Sequence, residues 1–364
     1  VFNMDYTNPS NCLTGGRRGV SESYCLLDGS GNEVDNISSL MGKAFTRGDV
    51  DALFDIETYS LYVMDTFELT DNFNVFAGLR VDSYDYSNQT SSDLYEFSDE
   101  LYNGHLGLVY DVTENGNIYA SYSTATNING GESDLGANCG YGGICGTPEQ
   151  ASQADPEQVE NIELGTKWSL FNEKLVANAA LFRITKSDVH ESVGDAYSTL
   201  GTLNTGENRV EGIEFGLSGD ITDKLSIQAS AAFMDSEVLK SYSEDNLGLA
   251  LSNFADESFY IQMRYQPNDK FAFGGDYSYQ SEMYGGQPDT AAGYSAETGE
   301  YSIVVPDYQV VNLFANYYHS ESLTFRVNIG NLFDEEYWTA AYRSGAFMYI
   351  GDGRNITGTV SYEF

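Results

Sequence analysis

The chain has 364 residues and a formal net charge of −38, with 55 acidic against 17 basic residues. That balance argues against a nucleic-acid partner, which needs a basic surface. The lack of any run of about 18 apolar residues excludes a helical membrane span, while 28 Tyr, 20 Phe and 37 Gly against 6 Pro favour strands and turns.

In chain order, residues 1–9 read as the end of an upward strand. No charged segment followed by an apolar core marks a signal peptide in the first 30 residues, so the chain reads as mature or truncated. A polar segment over 10–53 carries Cys12 and Cys25, and a second over 128–157 carries Cys139 and Cys145. Two disulfides, each closing one loop in an oxidising compartment, are the simplest reading. Zinc is the alternative, although no His lies near either pair.

Between these segments a period of two repeats many times. Ile162, Leu164, Thr166 and Trp168 alternate with Glu163, Gly165, Lys167 and Ser169. Leu225, Ile227, Ala229, Ala231 and Phe233 alternate with Ser226, Gln228, Ser230 and Ala232, and the same holds for Phe259, Ile261, Met263 and Tyr265. Near the end Leu323, Phe325, Val327 and Ile329 alternate with Thr324, Arg326, Asn328 and Gly330. Such strands present one apolar face and one small or polar face.

The connections separate a soluble sandwich from a membrane barrel. Short turns fall at Thr70-Asp71-Asn72, Thr113–Gly116, Phe171–Lys174, Ile221–Lys224, Pro267–Lys270 and His319–Ser322. Long polar segments fall at roughly 10–53, 87–100, 128–157, 189–206, 240–255, 284–305 and 335–352. Tight turns on one side and long loops on the other predict an all-β transmembrane antiparallel barrel of about fourteen strands. Closure leaves lipid no unpaired edge. Tyr62, Tyr110, Tyr122, Tyr265, Tyr277, Tyr317 and Tyr362 are expected in its interfacial aromatic girdles.

Three segments carry a family resemblance. PEQVENIELGTKW (156–168), the strand-turn-strand over 58–85 and NIGNLFDEEYWTAAYRSGAFMYIGDGRNITGTVSYEF (328–364) resemble TonB-dependent siderophore receptors. The wording over 342–354 resembles their catecholate group. The resemblance implies a barrel of about 22 strands around an amino-terminal plug. Residues 1–364 are then one partial barrel domain without its plug, in the bacterial outer membrane, with loops outside and turns and C-terminus periplasmic. It further implies active import of a ferric siderophore, coupled through the plug to the TonB complex. The alternation ending at Phe364 resembles the signal read by the barrel-assembly machinery.

No enzyme signature emerges: His105, His190 and His319 are dispersed, and His105 and His319 read as structural. No cofactor and no metal centre is expected, although acidic loop stretches such as Ser98-Asp99-Glu100 admit Ca²⁺ as an alternative to a solvated loop. A planar iron chelate calls for aromatic faces, hydrogen-bond donors and positive charge. The mouth candidates are Tyr141, Tyr197, Tyr242, Tyr284, Tyr294, Trp338, Tyr342 and Arg343, each with a loop-packing alternative. Arg343, Tyr342 and Trp338 are expected to sit together on the last extracellular loop. The acidic surface repels an anionic ligand unless local bases or divalent cations bridging lipopolysaccharide offset it. Import of cobalamin or an oligosaccharide, a passive fourteen-stranded pore or lipid transporter, and a binding-only surface are the competing functions.

Overall fold

The computed structural model describes residues 52–90, 93–128, 155–192, 202–286, 290–342 and 348–364. The expected strand over 1–9, the loop after it and all four cysteines lie outside the described residues. The principal strands are β1 (Ala52–Thr70), β2 (Phe73–Thr90), β3 (Leu94–Thr113), β4 (Gly116–Asn127), β5 (Glu157–Leu170), β6 (Leu175–Ser192), β7 (Thr202–Thr222), β8 (Leu225–Lys240), β9 (Glu257–Asn268) and β10 (Phe271–Gln280). Four two-residue strands follow: β11 (Met283–Tyr284), β12 (Tyr294–Ser295), β13 (Glu300–Tyr301) and β14 (Val304–Val305). Then come β15 (Tyr308–Tyr318), β16 (Leu323–Gly330), a small hairpin of β17 (Trp338–Ala341) and β18 (Met348–Ile350), and finally β19 (Asn355–Tyr362). Thirteen of them form one antiparallel sheet in chain order, β1 to β10, β15, β16 and β19.

The turns show why this order is simple. Thr70, Thr113 and Thr222 each accept a backbone N–H two residues on, and Asn268 accepts those of Lys270 and Phe271. In the β5–β6 turn Phe171, Asn172 and Glu173 hold φ of 52°, 58° and 66°. Each is a local device for reversing the chain, so neighbours in sequence become neighbours in the sheet.

The register gathers the alternating residues into two continuous faces. Leu181 pairs with Ile213, Ile213 with Phe233, Ala231 with Phe259 and Phe259 with Tyr279. Farther along, Leu313 pairs with Ile329 and Ile329 with Ile356. On the other face Asp276 pairs with Asn312, Phe314 with Asn328 and Asn316 with Arg326. Arg326 therefore lies on the polar, luminal face, and Leu323, Phe325 and Val327 on the lipid face, as the alternation predicts.

Aromatic rings collect at the turn end of the apolar face, where Tyr265 meets Phe273, and Phe271 meets Tyr317. Tyr62 departs from the expected girdle. It pairs with Arg80, and Arg80 shares its face with Asp82 and Ser60, so Tyr62 is luminal. The cause is the parity of β1, whose outward set is Leu61, Val63, Asp65 and Phe67, opposite Val81, Leu79, Ala77 and Val75. Asp65 places a carboxylate within that apolar set and caps the Thr66 N–H at 2.8 Å.

The strands run farther than their polarity suggests. The loop expected over 87–100 is mostly strand, with β2 reaching Thr90 and β3 starting at Leu94. Likewise, β6 and β7 extend into the loop expected over 189–206. Polar composition on both faces erased the alternation, but antiparallel pairing continues in water. Tyr86 stacks on Phe97 at 4.2 Å, and Tyr84 meets Phe97 edge-on at 6.2 Å.

A candidate luminal wall and loop cluster

The luminal face is a wall of hydrogen-bonded polar side chains. Ser60 donates to Asp82 at 2.5 Å, Tyr119 donates to Glu163, Asn312 donates to Asp276 at 2.7 Å, and Arg326 donates to Asn316 at 3.0 Å. Most of these polar groups are paired within the wall, which preorganises it, while the Asn103 and Asn161 side-chain oxygens are buried without a partner.

At the loop end of β4–β8 the wall closes over a buried cluster. Glu157 is 0% exposed and forms an ion pair with Lys186 at 2.7 Å. It also accepts Asn127 Nδ2 at 2.9 Å and the His190 N–H at 3.0 Å. A bulge at Asp188, with φ of 54°, turns His190 inward, where its Nε2 meets the Asp155 carbonyl at 2.9 Å. Beside it buried Glu191 accepts Thr205 and Ser241 hydroxyls, both at 2.6 Å, and the Tyr242 N–H at 2.8 Å.

Above β8–β19 the described parts of three segments, 241–256, 281–307 and 331–354, carry two asparagines in left-handed conformation, of which Asn253 ties the three together, its N–H going to the Tyr284 carbonyl at 2.6 Å, and Asn331 closes the third on itself. Asn253 (φ 53°) bonds Ala341 at both ends of its amide, donating to the carbonyl at 3.0 Å and accepting the N–H at 2.9 Å. Asn331 (φ 49°) is nearly fully buried and donates to the Glu335 and Asp352 carbonyls at 2.8 and 3.0 Å. It also accepts the Glu335 N–H, and its own N–H goes to Asn312. Asn tolerates the left-handed region better than other residues with a Cβ, and its amide stands in for missing backbone partners. An apolar core of Met283, Val305 and Ala341, ringed by Ile303, Trp338 and Met348, fills the space between two of the segments.

The expected mouth residues fall in several places. Trp338 packs in that core, which is the loop-packing alternative. Tyr342 is half-buried just after β17. Tyr284 stacks on Tyr301 at 3.9 Å and donates to Glu282 at 2.9 Å. Glu282 first, through that hydrogen bond, and burial second push the Tyr284 phenol up to about 12. Tyr294 meets Tyr301 edge-on at 5.3 Å, while exposed Tyr242 is held by Glu191 beside β6. Tyr141, Tyr197 and Arg343 lie outside the described residues.

The sequence reading missed Tyr301, the hub of the ring cluster, whose hydroxyl accepts the Ala250 N–H at 2.9 Å. It lies in the same polar segment as Tyr284 and Tyr294, so its position was the available signal. The candidate Ca²⁺ stretch at 98–100 proves to be strand, with Glu100 taking the Tyr102 hydroxyl. Among the described residues no group of three or more His, Cys, Asp or Glu converges on a metal position. The arrangement as a whole can grip a flat, hydrogen-bonding molecule from above a polar channel wall.

A family model described as "TonB dependent receptor-like, beta-barrel" matches residues 9–332. The chain is 27% identical over 342 residues to a probable TonB-dependent siderophore receptor, PiuA, of Acinetobacter baumannii, covering 87% of this chain and 42% of that protein. It is 26% identical over 357 residues to the catecholate siderophore receptor Fiu of Escherichia coli K12, covering 90% and 44%. The crystal structure of PiuA superposes with a TM-score of 0.74 at 25% identity, over 92% of this chain and 50% of that one. A closed form of Fiu gives 0.69 at 23%, over 86% and 45%. The chain thus spans less than half the length of these curated relatives.

Proposed function

We infer, from the premise that this chain belongs to the TonB-dependent receptor-like β-barrel family, that it forms the barrel part of an outer-membrane receptor importing a ferric siderophore. The observation that carries the reading is the loop cluster: interlocked outer segments present stacked tyrosines above a polar wall, which suits capture of a flat chelate. The names of the relatives, a catecholate receptor among them, support the same ligand class. Tyr242, Tyr284 and Tyr342, with Tyr141 and Arg343, are the proposed contacts, and Trp338 holds the hairpin that positions Tyr342.

Passage needs a plug inside the lumen and energy delivered through TonB. The largely paired polar wall suits a plug that slides, because few groups beyond the Asn103 and Asn161 oxygens would be left unpaired by its departure. Nothing in this mechanism is catalytic, and we read the protein as a receptor rather than an enzyme. The outward ion pairs Arg183–Glu211 and Arg209–Glu237 above the apolar band suit contact with lipopolysaccharide headgroups, and the exposed terminal Phe364 suits recognition by the assembly machinery.

Disrupting the gene in its host and measuring uptake of labelled ferric catecholate under iron limitation tests the reading. Uptake should fall to background and return with the intact gene, and the purified full-length receptor should bind the same complex. Uptake unchanged by the disruption would overturn it.

A further inference from the structure

The stretch 249–256 runs between the barrel and the outer tyrosines. On one side it is fastened to alternate residues of β8. The Val238 N–H donates to the Leu249 carbonyl at 3.0 Å, the Leu251 N–H to buried Ser236 Oγ at 3.1 Å, and the Met234 N–H to the Asp256 carbonyl at 2.7 Å. On its other side the Ala250 N–H meets the Tyr301 hydroxyl, and the Ala250 carbonyl accepts the Ala292 N–H at 2.8 Å. A barrel strand thus lends its rigidity to the loop layer, which places side chains more precisely than a free loop does.

Asn253 is where that rigidity reaches the proposed ligand contacts. Its φ of 53° turns the chain so that its backbone and its amide address different segments. The N–H goes to the Tyr284 carbonyl at 2.6 Å, while the amide holds both the N–H and the carbonyl of Ala341, the residue before Tyr342. The two segments also touch directly. A Cβ on Gly285 would fall 2.8 Å from the Ala341 Cβ, and Met283 packs in the buried core with Ala341. Asn253 fixes the register of that contact, because its three hydrogen bonds are the ones that tie 284 to 341 through a single residue.

We propose that Asn253 is a positioning residue of the capture site, holding Tyr284 and Tyr342 at one separation so that they grip a chelate as a pair. The inference rests on the reading of those two tyrosines as ligand contacts. A preset separation spares the entropy of ordering the loops on binding, and it makes the contribution of each ring depend on the other. A residue that only kept the loops folded would strengthen binding without linking the two rings.

A double-mutant cycle in the purified full-length receptor tests this, with dissociation constants for the radiolabelled iron(III) tris-catecholate complex measured by equilibrium dialysis. Tyr284→Ala and Tyr342→Ala should each weaken binding about tenfold, and the double variant about twentyfold rather than about a hundredfold. Asn253→Gly keeps the left-handed backbone and its N–H but deletes the amide. It should weaken binding about fivefold and make the two tyrosine losses multiply. Heat-modifiable barrel mobility should match wild type in every variant. A wild type that does not bind the complex, or tyrosine variants that bind it as wild type does, would defeat the reading of the site and this inference with it. Tyrosine losses that already multiply in wild type, or a coupling that survives Asn253→Gly, would overturn the inference alone.

Discussion

The turn-side and loop-side halves of the sheet share one hydrogen-bond ladder but are specified by different physics. On the turn side, strict alternation sorts residues such as Ile227, Ala229 and Ala231 to lipid, and Ser226, Gln228 and Ser230 to the lumen. A one-residue slip there would invert both faces. On the loop side both faces meet water, and alternation carries no information. Particular side chains take over: Glu157 gathers Lys186, Asn127 and the His190 N–H, and Asn253 and Asn331 each hold more than one backbone group. Order in one half is distributed over every second residue, and in the other it is concentrated in a few.

The comparison can be broken most sharply at Glu157. Glu157→Gln removes the buried carboxylate that pairs with Lys186 and accepts the His190 N–H, and loss of about 3–5 kcal/mol is expected. Protease cleavage near 155–157 and 186–192 should accelerate while the heat-modifiable barrel persists; global loss of the barrel would show that the halves are not separable. On the lipid side, Ala231→Arg should cost about 2–4 kcal/mol in refolding titrations into lipid vesicles, whereas Ser230→Arg, one residue along on the luminal face, should cost far less. Equal costs would mean the faces are misassigned. Asn331→Ala removes hydrogen bonds that close the last outer segment, each worth about 1 kcal/mol net, so opening near 331–335 should rise in hydrogen exchange without change at β8 or β9. Asp65 offers the reverse test: Asp65→Leu should stabilise the barrel by about 1 kcal/mol, because it restores the apolar face of β1. Smallest of all, Tyr301→Phe deletes one neutral hydrogen bond and should raise exchange at the Ala250 amide by a factor consistent with about 1 kcal/mol.

This division also explains what was legible beforehand. The strands, their order and the face of each residue on β5, β8, β9 and β16 follow from a local period that lipid enforces. The turns follow from Thr, Asn and Asp placed where a side chain can accept the next free N–H. Tyr62 was misplaced because it was counted as a tyrosine rather than by its parity on β1. The bonds from Asn253 to Ala341 and from Tyr301 to Ala250 join residues 88 and 51 positions apart, and no short-range pattern announces them. Glu157 was visible inside a recognisable stretch, but its role depends on Lys186, Asn127 and His190, brought together only by the register.

The length of the strands has a consequence of its own. β7 holds 21 residues and β3 holds 20, whereas a tilted strand crosses the hydrocarbon in about 9–11. At about 3.4 Å per residue and a tilt of about 40°, β7 climbs roughly 50 Å, about twice the apolar band. The surplus stands as a stiff parapet above the membrane plane, at the altitude of the surrounding sugar chains.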